Sequence, residues 1–317
     1  MTAQLVVVVN HWGGVPSCLH ENVLASQTDW ARTTLQGLLL SHTDPVEQFS
    51  SLLRDGSASL LHGIRRAGYR TAVLGATGLQ RRNGRDHDPR LALSDAWGID
   101  RCSLHDGAHF EGACLAHDEE VVHEADRILK TAADEDERIL LVVNLLSCRS
   151  VACLSRDERV DRDERMVPPA VGCQLAYAVP AERVAAQEYQ EALAQARSAL
   201  RALDLLVSQL MVTVLGAGGC AALTATHSLS LGEHGIRGGG NPTSICCSTF
   251  FCTSEALPDP DVRPSTLHET VSAFLQRTCG VSCTPSRAWC TLVDAGRLRF
   301  ARTLVRLRGR LYSCITS

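Results

Sequence analysis

Leu223-Thr-Ala-Thr-His-Ser-Leu-Ser-Leu-Gly-Glu-His-Gly-Ile-Arg-Gly-Gly-Gly240 is the stretch whose reading decides the fold. An apolar run from Cys220 to Thr224 feeds directly into a polar, glycine-rich turn that holds His227 and His234. α/β folds deliver side chains to the carboxyl end of a strand in this way, so chemistry is expected here if the chain has any.

Upstream, Ala181 to Leu210 gives the longest helical pattern. Leu193, Ala196, Leu200, Leu203, Val207 and Leu210 recur at spacings of three and four and form a core-facing stripe. Downstream, Ser248 to Thr253 reads as a strand ended by Pro258 and Pro260, and Leu267 to Cys279 as a late helix. At the other end of the chain Gln4-Leu-Val-Val-Val-Val9 is a continuous β-branched run, as expected of a strand buried on both faces of a parallel sheet.

Leu60 to Gly75 reads as a helix with Leu60, Leu61, Ile64 and Ala67 on one face, stopped by Gly68, followed by a strand over Thr71 to Leu74. Asp118 to Lys130 is a further helix, Ala132 to Arg138 an exposed charged turn, and Arg138 to Asn144 a core strand. Between Arg81 and Asp118, Gly, Asp, Arg and His dominate, which predicts long surface connections that include His105 and His109. Ser155 to Arg165 alternates in sign without apolar anchors and reads as a solvated loop.

Composition bounds the function. The chain has 317 residues, 45% of them apolar, and a net charge of -4, which describes a globular α/β domain and argues against a nucleic-acid partner. Fourteen cysteines follow no zinc-ligand spacing and read as reduced, buried small residues. The strand begins by Leu5, leaving no room for a signal peptide, and no apolar run reaches the ~20 residues of a membrane span, so an intracellular location is expected.

Thr224, His227 and Gly232-Glu-His-Gly235, together with the Ala67-Gly-Tyr-Arg-Thr71 unit and the first strand, resemble the sulfatase branch of the alkaline phosphatase superfamily. The resemblance runs in that family's order from about Gln4 to Ser282. It implies a mostly parallel central sheet with helices on both faces over residues 1–282, and a small C-terminal appendage over 283–317.

The same resemblance assigns the site, and most of its chemistry is replaced. The family's metal-binding aspartates fall on Asn10, His11 and Thr226, so Asn10, His11, Thr226 and His227 are vestigial metal-site positions. Its lysines fall at Ala76 to Gly78 and on Gly239, and its Asp-Pro-His motif on Ser147, Cys148 and Arg149. The segment around Thr28, Arg32 and Gly37 stands where the family carries its nucleophile; Thr28 is a substitute nucleophile or a helix cap. Cys283-Thr-Pro-Ser-Arg287 matches the family's nucleophile pentapeptide but falls beyond the late helix, where the family does not carry it.

Losing one electrostatic stabiliser commonly costs about 10²–10³ in rate, so this many replacements predict a chain without catalysis, metal or cofactor. Its expected role is structural, with other proteins of a larger assembly as partners. The alternative is a metal-dependent sulfate or phosphate ester hydrolase with an altered site. In that reading Thr28, Arg32, His227 and His234 are catalytic, the metal is Ca²⁺ or Zn²⁺, and His11, His227 and His234, with Asn10, Thr28 or Glu233, assemble a softer site that suits Zn²⁺ rather than Ca²⁺. A third reading is an anion-binding module using Arg237 and Gly238-Gly-Gly240, against which stands that a glycine run alone signals only a flexible turn.

Overall fold

The computed structural model describes residues 2–11, 15–16, 24–25, 60–77, 99–106, 114–145, 177–178, 186–225, 228–231, 236–238, 248–254, 267–282, 291–295, 298–307 and 310–316. Three apolar strands form its centre: β1 (Leu5–His11), β6 (Ile139–Leu145) and β8 (Cys220–Ala225). β1 lies between the other two and is parallel to both. With β4 (Arg70–Thr77), β5 (Arg101–Asp106) and β12 (Phe251–Thr253) they make a six-stranded sheet in the order β12-β8-β1-β6-β4-β5. Only β12 is antiparallel to its neighbour, so the sheet is mostly parallel, as the sequence implies.

A parallel strand in the middle of such a sheet is covered on both faces, which explains the unbroken Val run of β1. Val6, Val8, Leu140, Val142 and Ala222 pack against α1 (Leu60–Arg66) and α4 (Leu267–Cys279) through Leu61, Ile64, Val271 and Phe274. Leu5, Val7, Val9, Leu141, Val143 and Ala221 face α2 (Cys114–Asp134) and α3 (Ala186–Gly216), meeting Val122, Leu129, Leu203, Val207 and Leu210. Each large side chain so buried contributes about 1.5–3 kcal/mol.

Local signals set the helix ends. Gly68, at φ +89°, donates its N–H to Arg65 O at 2.9 Å, and Tyr69 N–H reaches Ile64 O at 3.2 Å. This left-handed cap turns the chain straight into β4. α2 ends by the same device with Asp136 at φ 55° and Glu137 N–H bonded to Ala132 O at 2.8 Å.

Several sequence expectations need correction. β1 continues through Asn10 and His11, because both still pair in register with β6 and β8. The connection expected between Arg81 and Asp118 contains β5, which includes His105, and the start of α2 at Cys114. β5 is an edge strand with charged ends and lacks an apolar run; Asp100 fixes its start by accepting bonds from Thr71 N–H at 2.7 Å and Thr71 Oγ1 at 3.1 Å. α2 runs on to Asp134 with Ala132 buried, so only its outer face belongs to the charged turn.

The glycine-rich turn also contains regular structure. β9 (Ser228–Leu231) and β10 (Ile236–Gly238) pair antiparallel, β9 pairs with β2 (Val15–Pro16), and β10 with β7 (Tyr177–Ala178). Arg237 and Gly238 are therefore in a strand, not a flexible turn. The Ser248–Thr253 strand is broken at Phe250 into β11 (Ser248–Thr249), which pairs with β3 (Leu24–Ala25), and β12. β13 (Thr291–Ala295), β14 (Leu298–Leu307) and β15 (Arg310–Thr316) form an antiparallel meander of their own.

The stripe on α3 is as the sequence predicts, with Leu193, Ala196, Leu203, Val207 and Leu210 buried. The helix nevertheless differs from the expectation that no apolar run is long enough for a membrane. Tyr189–Gly216 is long and apolar enough to cross one by length and composition, a test that the core helix of a soluble protein also passes.

Candidate functional site

The carboxyl ends of β1, β6 and β8 bring together the polar residues that the apolar strands carry. Register places Gly75, Asn144, Asn10, Thr224 and Phe251 in one row across five strands. One residue further on, His11 lies between Leu145 and Ala225. Asn10, Asn144 and Thr224 are all fully buried.

Side chains alternate along a strand, so Asn10 and His11 belong to opposite faces of the sheet. Asn10 follows Val8, and Asn144 follows Val142, both of which face α1 and α4. His11 follows Val9 on the α2 and α3 side, and its ring centroid is 6.4 Å from that of Phe250, which belongs to the same core cluster. The two adjacent positions that resemblance makes metal ligands are thus directed apart.

Asn10 Nδ2 donates to Asn144 Oδ1 at 2.9 Å. The remaining Asn10 Oδ1 and Asn144 Nδ2 are buried without a hydrogen-bond partner. Thr224 Oγ1 donates to Phe250 O at 2.7 Å, and Thr249 Oγ1 to Ala225 O at 2.5 Å, so these two hydroxyls stitch the end of β8 to the break between β11 and β12. Burial lowers the pKa of His11 from 6.5 to about 4, because the charged imidazolium would lose its hydration. The imidazole is therefore neutral at physiological pH.

This donor set does not fit a hard divalent cation. Ca²⁺ takes roughly six to eight oxygens, several of them carboxylates. The row supplies neutral amides and a hydroxyl, and among the described residues no three His, Cys, Asp or Glu side chains are grouped to hold an ion. Thr28, Arg32, Thr226, His227, Glu233, His234 and the Cys283 to Arg287 pentapeptide lie outside the described residues, as do Ser147, Cys148, Arg149 and the loop from Ser155 to Arg165. Cys220 and Cys279 are buried, and Cys252 is exposed.

Three buried polar residues here escaped the sequence reading. In the sequence Asn144 reads only as the end of a core strand. His117 and Asp118 are buried in the first turns of α2, the helix that connects β5 to β6. The signal was present: His117 and Asp118 precede Val121 and Val122 by four residues, which puts them on the core-facing stripe.

The architecture matches solved structures across nearly its whole length. Phosphonate monoester hydrolase of Agrobacterium radiobacter superposes with a TM-score of 0.56 at 14% identity, covering 99% of this chain and 89% of that one. The C-terminal periplasmic domain of phosphoethanolamine transferase EptC from Campylobacter jejuni gives 0.54 at 12% identity, over 90% of this chain and 91% of that one. A 2-O GAG sulfatase gives 0.52 at 10% identity, over 90% and 72%. No protein-family model matches the chain, and no curated protein matches it. At these identities the likeness is one of fold: the alkaline phosphatase and sulfatase-like α/β fold.

Proposed function

We propose that this chain, which has the fold of sulfatases and other alkaline phosphatase superfamily enzymes, is a pseudoenzyme with a structural or protein-interaction role in a larger assembly. The observation that carries this reading is the neutral end of β1: Asn10 is fully buried and hydrogen-bonded to Asn144, where metal-dependent ester cleavage calls for charged oxygen ligands. Without a cation to polarise the ester and lower the nucleophile's pKa, Asn10, Asn144 and Thr224 offer only neutral groups to the charge that develops as the bond breaks. A buried, hydrogen-bonded edge is suited instead to keeping the fold rigid while the surface meets other proteins.

The second reading is an altered, metal-dependent hydrolase that uses Thr28, Arg32, His227 and His234. What favours it is His11, which stands at the ends of β1, β6 and β8 and is neutral at physiological pH, the form in which an imidazole nitrogen binds a metal.

One experiment separates them. The purified chain is analysed for bound metal while turnover is followed on an aryl sulfate and an aryl phosphate, with and without Ca²⁺, Mg²⁺ and Zn²⁺. The scaffold reading expects no turnover under any condition. Turnover abolished by His227→Ala would overturn it in favour of the hydrolase.

A further inference from the structure

We propose that Asn10 and Asn144 form a latch that closes the carboxyl ends of β1 and β6 without metal, and that this pair excludes a divalent cation from the row. The inference rests on the scaffold reading for its biological sense but not for its geometry. Asn10 and Asn144 are register partners in parallel strands, so two amides of equal length meet without either strand departing from its pairing. They are joined by one 2.9 Å hydrogen bond and are both fully buried.

The chemistry of the pair makes it selective. One amide N–H₂ and one carbonyl oxygen are engaged, which leaves one carbonyl oxygen and one N–H₂ directed elsewhere. Turning both amides over exchanges the roles and leaves the same remainder. While it keeps its own bond the pair has one wholly unengaged oxygen, Asn10 Oδ1, and an entering ion would also meet the Asn144 N–H₂. Neighbours in the row do not repair this. Gly75 has no side chain, and Thr224 Oγ1 is engaged with Phe250 O. Val8 and Val142 one step back on the same face make the surroundings apolar, so an uncompensated charge would be strongly disfavoured.

The unengaged acceptor and donor add a second consequence. Each single replacement by leucine strands the former partner in a buried, apolar site, whereas replacing both removes the polar groups together. The two substitutions are thus coupled, and metal has no part in the coupling.

The test uses the full chain and its thermal unfolding. Wild type, Asn10→Leu, Asn144→Leu and the double variant are melted in chelator, in Ca²⁺ and in Zn²⁺. Each single variant is expected to lower Tm by about 3–10 °C, and the double variant by clearly less than the sum. Any response of Tm to metal is expected to be the same in wild type and in the double variant. Additive losses would overturn the latch, and so would a metal-induced rise in Tm that the double variant loses. Should a single variant fail to fold, Asn10→Asp serves in its place: its Tm at neutral pH is expected to fall and to be raised by Ca²⁺ by more than wild type is, and a rise in wild type as large as in Asn10→Asp would overturn the exclusion. Failure of the latch is distinguishable from failure of the scaffold reading. Metal-dependent stability without turnover sinks only the latch, and ester turnover with metal-independent stability sinks only the scaffold.

Discussion

A Cβ atom on Gly75 would stand 2.1 Å from the carbonyl oxygen of Asn144. β4 approaches β6 this closely at the row where Asn144 meets Asn10, and Gly75 does so at φ +108°, a conformation that side chains disfavour. The position of the amide pair thus depends on a residue with no side chain.

Gly75→Ala is therefore expected to destabilise the fold by about 2–5 kcal/mol, from overpacking and backbone strain together. Gly63 on α1 is the control, since a Cβ there meets nothing within 4 Å. Gly63→Ala should be neutral or stabilise by up to about 1 kcal/mol. Chemical denaturation of both variants checks this, and equal effects would show that the close approach at Gly75 is not limiting.

His11 predicts a dependence on pH. Its pKa is about 4 in the fold, against 6.5 for an unperturbed imidazole, because burial disfavours the charged form. Between these values the unfolded chain binds the extra proton, so the stability present above pH ~6.5 is lost as pH falls toward ~4. The loss is on the order of 3 kcal/mol. His11→Gln should flatten this part of the curve of unfolding free energy against pH. An unchanged slope would mean that other groups carry it.

Thr224 and Thr249 hold the end of β8 against the break at Phe250. Thr224→Val keeps the shape and removes the donor, which leaves the Phe250 carbonyl short of a buried partner. The expected cost is about 1–3 kcal/mol, read as a fall in Tm of roughly 2–4 °C per kcal/mol. A change of less than 1 °C would show that the carbonyl finds another donor.

The parts of the fold legible in the sequence are those that local pattern dictates. The Val run of β1 requires cover on both faces, the α3 stripe requires a sheet to lie on, and Gly68 requires a helix end. β5 was not legible because an edge strand bounded by Arg101 and Asp106 is specified by its neighbour and by the bonds of Asp100 to Thr71. The apolar run of β1 stops at Val9, two residues short of the strand's end at His11, for a similar reason. Polarity at Asn10 and His11 reads as a strand end, yet pairing on both sides continues through them. Asn144 was invisible as a site residue because its partner is 134 positions away, and no periodicity reports a parallel register over that distance.

Asp100 separates a hydrogen-bonded cap from an ion pair. Its carboxylate accepts from Thr71 N–H and Thr71 Oγ1, and also meets Arg65 at 2.7 Å with the Arg65 side chain 43% exposed. Exposed ion pairs contribute about 0–1 kcal/mol, whereas a hydrogen bond to a charged group contributes about 1.5–3 kcal/mol. Asp100→Asn keeps an oxygen for Thr71 and should cost little, while Asp100→Ala should release the start of β5 from β4. Amide hydrogen exchange across 99–106 distinguishes the two: faster exchange in Asp100→Ala with near wild-type rates in Asp100→Asn is expected. Equal acceleration in both variants would assign the anchor to Arg65 and the ion pair instead, because charge is the property that both substitutions remove.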